Sequence, residues 1–120
     1  MADLLLQYQS VLTDMHQARV EAGGKPRTWN RLVDKVQGLH LRLADTPDGR
    51  EAITATALNG DTSTARLWAA THALAWNAAR VRPVLEAAAA SDQTLDGLSA
   101  KYTLREFDAG RLNTGWSPKQ

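Results

Sequence analysis

The segment Thr62 to Trp76, TSTARLWAATHALAW, carries apolar side chains around the whole circumference of a helical wheel. A helix of that kind has no face to offer water and must be enclosed by other helices. Trp68, His72 and Trp76 recur every four residues along it, which lines them up on one stripe. The rest of the chain therefore has to supply a helical shell.

The flanking sequence reads as that shell. From Asp3 to Ala22, Leu5, Tyr8, Leu12 and Met15 recur at three- and four-residue spacings, and Gly23-Gly24 is a stop. Pro26 opens a second helix at its first turn, where a missing N–H costs nothing. Trp29, Leu32, Val33, Val36, Leu39 and Leu43 then form a long apolar stripe that ends near Ala44, and Asp45 to Gly49, DTPDG, makes a turn. A short third helix, Gly49 to Leu58, is faced with small residues that let a neighbour approach closely, and Asn59-Gly60 ends it. Asp61 or Thr62 caps the enclosed helix, which runs to about Trp76. Asn77 caps a fifth helix bearing Val81, Val84, Leu85 and Ala88 on one face, with Pro83 near its first turn. Between Ser91 and Leu98 the pattern weakens, and Leu95 and Leu98 read as a short turn packed onto the body. A last helix, Ser99 to Ala109, places Ala100, Leu104 and Phe107 at i, i+4 and i+7 before Gly110 stops it. RLNTGWSPKQ follows as a tail whose Trp116 is too apolar to leave in water.

No stretch alternates with period two, so the expected fold is all-α, with five or six antiparallel helices in a closed bundle or an open stack of helix pairs. The small faces of the third and fourth helices favour the stack. Residues 1–110 form one helical domain and 111–120 its C-terminal tail. At 120 residues the chain is long enough to bury a sizeable core without staples.

Charge and composition narrow the function. Fourteen Lys and Arg against thirteen Asp and Glu leave a net charge of +1, with the signs interleaved. The densest basic cluster, Lys25, Arg27 and Arg31, is followed closely by Asp34, which argues against a nucleic-acid stripe. There is no cysteine, no basic leader before a long apolar run and no bilayer-length apolar segment, so the expectation is a cytoplasmic protein off the membrane. HExxH, GxSxG and glycine-rich phosphate loops are all missing, and pairs such as Asp45/Asp48 and Glu106/Asp108 fall in turns or at helix ends. No catalytic, metal or cofactor site is expected.

The remaining candidates are surface contacts and the stripe itself. His40 falls on the apolar side of the second helix and reads as a core imidazole with one hydrogen bond; His16 lies at the margin of its helix's buried face. The Trp68-His72-Trp76 stripe either fills space between helices or stacks on a base, a sugar or a partner's side chain. All-round apolarity favours packing, which leaves His72 as the one member expected near the surface. Arg80 and Arg82 open a helix, where the dipole disfavours cations, so either nearby acids compensate or they meet an acidic partner.

Five blocks, WNRLVDKV (29–36), DGREAI (48–53), ARLWAATHAL (65–74), RPVLEAAAAS (82–91) and TLREFDAG (103–110), agree in order and spacing with a family of small bacterial proteins of unknown function. The run from Trp29 to Gly110 resembles that family, whose fold is a HEAT-like αα superhelix. The resemblance implies the stack of helix pairs and transfers no catalytic residues. In HEAT-type repeats an arginine at the place of Arg66 commonly bonds an acidic residue, which implies a pair with Asp61. Ala65 departs from the usual valine and implies tighter local packing. Some HEAT-like relatives are immunity proteins encoded beside bacterial toxins. The expected function is thus a non-catalytic protein-binding module, first a toxin-neutralising immunity protein, with His72, Arg66, Arg80, Arg82 and Trp68 as contact residues and charge complementarity speeding association. A structural or regulatory adaptor, or a small-molecule or nucleic-acid binder using the tryptophan stripe, are the alternatives. Oligomeric state is not legible. If the stripe is packing, Trp68→Ala lowers stability by about 3–5 kcal/mol in denaturant unfolding. A variant that keeps its stability and loses a ligand would place the stripe at a binding face.

Overall fold

A computed structural model describes residues 2–20, 26–91 and 93–118. Among the described residues there are five helices: α1 (Ala2–Val20), α2 (Pro26–Leu43), α3 (Pro47–Asn59), α4 (Ser63–Ala89) and α5 (Leu95–Asp108). Among the described residues there is no strand. The expected stop at Gly23-Gly24, together with Lys25 of the basic cluster, lies outside the described residues.

Three of the helices start on the same device. The side chains of Thr46, Thr62 and Thr94, each in an extended conformation, accept hydrogen bonds from the N–H groups of Gly49, Ala65 and Gly97 at 3.0, 3.0 and 2.9 Å. Each satisfies one of the N–H groups that a helix leaves without a partner in its first turn. Around two of these caps the sequence itself recurs: Thr46, Asp48, Gly49 and Ala52 are matched by Thr94, Asp96, Gly97 and Ala100. In both copies the glycine is buried against the end of the preceding segment. A Cβ on Gly49 would overlap the Leu43 carbonyl oxygen and stand 2.6 Å from its carbonyl carbon. On Gly97 it would overlap the Ser91 oxygen and stand 2.7 Å from that carbon.

This capping corrects two expected boundaries. α3 begins at Pro47 and not at Gly49, because Thr46 is its cap. α5 begins at Leu95 and not at Ser99, because Thr94 is its cap, so Leu95 and Leu98 are helical residues and lie exposed. At its other end α5 stops as the glycine implied. Gly110 adopts φ of 73°, its N–H bonds to Phe107 O at 3.0 Å, and Arg111 N–H reaches Glu106 O at 2.8 Å.

The expected fourth and fifth helices follow one another in α4, Ser63–Ala89, and meet where expected, at a kink on Asn77, whose dihedrals are not helical (φ −149°, ψ 53°). Pro83 lies well past that break, where its missing N–H deprives Ala79 O of a helical bond. Of the residues from Thr62 to Trp76 only Ala75 is exposed, so the first half of α4 is enclosed on nearly all sides. Over the whole of α4, α3 and α5 make the most extensive contacts, and α1 packs on both α2 and α4. The core gathers Tyr8, Val11, Leu12 and Met15 of α1, Val36, Leu39 and Leu43 of α2, Ile53 and Ala57 of α3, and Ala69, Ala70, Ala73, Leu74, Val81 and Leu85 of α4. α2 meets α4 across a layer of rings.

After α5 the chain continues without helical structure and lies along α2. Gln37, buried in α2, donates its amide N–H groups to the carbonyls of Thr114 and Trp116, both at 2.8 Å. Leu112 packs on the core, and Pro118 lies beside Gly38. The tail is thus tied to the helical body through its backbone.

The glycines give opposite expectations for alanine. Gly49→Ala and Gly97→Ala should each lower stability by about 3 kcal/mol or more, because backbone must move. Gly38→Ala, whose Cβ would sit 3.8 Å from Pro118 Cγ, should raise it by about 0.5–1 kcal/mol. Denaturation midpoints of the three variants check this.

Candidate functional site

The tryptophan-histidine stripe of α4 faces inward. Trp68 is half-buried, with its ring edge-on to Trp29 of α2 at 6.2 Å between centroids and to His72 at 6.1 Å. Trp76 is half-buried too, and its indole N–H donates to Thr54 Oγ1 of α3 at 3.1 Å. Between them His72 is 3 % exposed. The expectation that His72 remains near the surface is therefore corrected: its ring lies against that of His40, parallel within 1° at a centroid distance of 3.8 Å.

The hydrogen bonds around this imidazole pair fix its protons. Gln37 commits its amide nitrogen to the tail carbonyls, so Oε1 is left to accept from His40 Nδ1–H at 3.2 Å. On the other ring, Tyr8 Oη and His72 Nδ1 are 2.8 Å apart. Tyr8 is fully buried, and a buried hydroxyl proton left without an acceptor costs more than a spare lone pair. Tyr8 therefore donates, and His72 carries its proton on Nε2. Burial pushes the Tyr8 hydroxyl far above the ordinary phenol range. Burial likewise pushes His40 down to about 4, against a weaker upward pull from the backbone of Gln37. It pushes His72 well below its ordinary value, and the neighbouring His40 adds to the shift. Both rings are neutral at pH 7. His16, at the edge of α1, is bonded to the buried Thr64 hydroxyl at 2.9 Å.

The three arginines proposed as contacts are each engaged within the chain. Arg66 donates to the Gly60 carbonyl at 2.8 Å, so it holds the turn before α4 and takes that oxygen in place of Asp61. Arg80 pairs with Glu51 across to α3 at 3.0 Å, with both groups largely exposed. Arg82 makes two parallel bonds to Asp108 of α5, at 2.8 and 2.9 Å, and a longer one to Glu86. The bonds from Arg82 hold the Asp108 carboxyl below the usual carboxylate range. Nearby acids thus compensate the cations at this helix, which was one of the two readings open to the sequence.

The exposed apolar groups lie elsewhere. Leu95, Leu98 and Tyr102, at i, i+3 and i+7 on α5, are 72 %, 54 % and 60 % exposed. They form one outward stripe, while Ala100, Leu104 and Phe107 take the inward side of the same helix. Sequence reasoning missed this surface because it read Leu95 and Leu98 as a packed-down turn. The recurrence of Thr46-Pro47-Asp48-Gly49 as Thr94-Leu95-Asp96-Gly97 was the signal that puts them on a helix. A second feature is an open cleft of about 430 Å³. Its lining includes His40, Arg50 and Trp76, with the backbone of Thr114 and Gly115 along one side.

Among the described residues no group of three or more His, Cys, Asp or Glu is placed to hold a metal ion, and no helix is long and apolar enough to cross a membrane. No family model, curated protein or solved structure matches the chain.

Because both imidazoles have folded-state values below that of the unfolded chain, the unfolded state binds more protons as pH falls below about 6.5. Stability should therefore fall from pH 6.5 toward 4, and further as His72 is driven to protonate. Denaturation midpoints across this range should show the slope in the native sequence and a shallower one in His40→Gln and His72→Gln. A flat profile in the native sequence would mean that the rings are solvated.

Proposed function

We propose that this chain is a non-catalytic protein-binding module built as a HEAT-like stack of helices. The observation that carries the reading is the stripe of Leu95, Leu98 and Tyr102 on α5. Single exposed leucines such as Leu6 are ordinary on any surface. Three large apolar side chains aligned on one face of an ordered helix cost solvation and mark an interaction surface more often than chance. In contrast, the side chains best suited to chemistry are occupied: the imidazoles of His40 and His72 with each other, Tyr8 and Gln37, and the guanidiniums of Arg80 and Arg82 with carboxylates.

Support for the HEAT-like arrangement comes from the recurring cap-and-glycine start of α3 and α5 and from the antiparallel pairing of α3 with α4. The particular role we favour is that of an immunity protein covering the working surface of a cognate bacterial toxin, as the resemblance to HEAT-like immunity proteins implies. Steric occlusion would be its mechanism. The contact surface moves from Trp68, His72, Arg66, Arg80 and Arg82 to the outer face of α5, since the former are spent on intramolecular bonds and packing.

Co-expression with the product of a neighbouring toxin-domain gene should restore growth, and the two chains should elute as one complex in gel filtration. Failure to rescue growth with any neighbouring product, and elution as separate species, would sink the reading.

A further inference from the structure

The hydrogen bonds that fix the proton of His40 leave one of its nitrogens over. Gln37 donates its amide hydrogens to the carbonyls of Thr114 and Trp116, so its oxygen accepts Nδ1–H of His40, and Nε2 keeps a lone pair. Among the described residues no group bonds Nε2. The residue is 2 % exposed, and it lines the cleft of about 430 Å³ where α2, α3, α4 and the tail meet. Every fully enclosed side-chain nitrogen among the described residues has a partner, so Nε2 is reached from that cleft. Burial holds the His40 value down at about 4, which keeps this atom a hydrogen-bond acceptor at neutral pH.

Two more side chains give the cleft a surface and a charge. Trp76 donates its indole N–H to Thr54, so it offers the cleft ring surface; its centroid stands 6.4 Å from that of His40, with the planes 27° apart. Arg50, in the first turn of α3, anchors its Nε–H on the Ala44 carbonyl at 2.7 Å. That bond orients the guanidinium and leaves its two terminal nitrogens, which pair with no carboxylate among the described residues. A guanidinium held in this way meets a carboxylate through two parallel bonds. Leu41 and Ala75 add apolar wall, and the tail that Gln37 holds in place closes one side with the backbone of Gly115.

We propose that this cleft binds a small aromatic hydroxy acid, with its ring against Trp76, its hydroxyl donating to Nε2 of His40 and its carboxylate on the terminal nitrogens of Arg50. The volume lies within the roughly 300–1,000 Å³ of small-ligand sites. A compound without the donor leaves a nearly buried acceptor unsatisfied, and one without the anion forfeits a charge-assisted pair. The cleft is separate from the outer face of α5, so failure of either reading leaves the other standing.

The test titrates the full chain with para-hydroxybenzoate in a calorimeter, beside benzoate, which lacks the hydroxyl, and methyl para-hydroxybenzoate, which lacks the charge. The hydroxy acid should bind one to one, and each of the other two about tenfold more weakly. In a chain labelled with the heavy nitrogen isotope, the NMR resonance of His40 Nε2 should move upfield with para-hydroxybenzoate and stay in place with benzoate. Arg50→Gln should bring the hydroxy acid to the affinity of its methyl ester. Ala75→Phe, at an exposed position on the cleft wall, should abolish binding while the thermal melt matches that of the native chain. Equal affinity for the three compounds, no saturable binding of para-hydroxybenzoate at millimolar concentration, an unmoved Nε2 resonance, or binding unchanged in Ala75→Phe would overturn the proposal. The comparison of the three compounds on the native chain decides the matter even where a variant is destabilised.

Discussion

Between α2 and α4 the chain sets rings where most helix pairs set aliphatic side chains, and the parallel contact of His40 with His72 is the centre of that layer. Two stacked imidazoles at 3.8 Å are stable in a core only if both are neutral, since a charge on either would be desolvated and would repel a charge on the other. The surrounding bonds enforce this. Tyr8 caps one ring from α1, Gln37 caps the other from within α2, and the same Gln37 amide reaches the tail carbonyls of Thr114 and Trp116. One line of polar groups thus joins α1, α4, α2 and the C-terminal segment. Every buried side-chain nitrogen and oxygen among the described residues has a partner. A network satisfied this fully specifies one arrangement of its helices, because a shifted helix would strand a buried donor.

This layer explains why the stripe of Trp68, His72 and Trp76 is internal even though its aromatic content invites a ligand. The indoles flank the imidazole stack, Trp68 against Trp29 of α2 and Trp76 between His40 of α2 and Thr54 of α3. Elsewhere around α4, Ala69, Ala70 and Ala73 are fully buried and add little bulk. One helix therefore buries large rings and small alanines around the same circumference, which is how an apolar segment can be enclosed on several sides at core density.

The sequence carried the all-α class and the enclosure of α4, because both follow from periodicity and from the lack of any polar face between Thr62 and Trp76. Burial of Tyr8, Leu12 and Met15, and of Val36, Leu39 and Leu43, followed from the same spacing. Sites were harder to read. Arg66, Arg80 and Arg82 look alike as free cations in a linear chain, and only the fold brings Gly60 O, Glu51 and Asp108 to them. His72 was misplaced because its partner His40 is on another helix, so no local pattern could announce a stacked pair. Leu95 and Leu98 were misjudged for a different reason. Their helix start depends on a threonine cap and a glycine, signals that weigh little in a search for apolar periodicity and gain weight only once the Thr46 copy is set beside the Thr94 copy.

The outer face of α5 owes its character to the same ion pairs that anchor the helix. Asp96 and Asp108 lie at the two ends of α5 and are pulled toward Arg19 and Arg82, away from the open side. Exposed pairs of this kind add little stability one at a time. Their larger effect is on geometry: bonds to α1 near one end and to α4 near the other set which side of α5 turns outward, and Leu95, Leu98 and Tyr102 lie on that side.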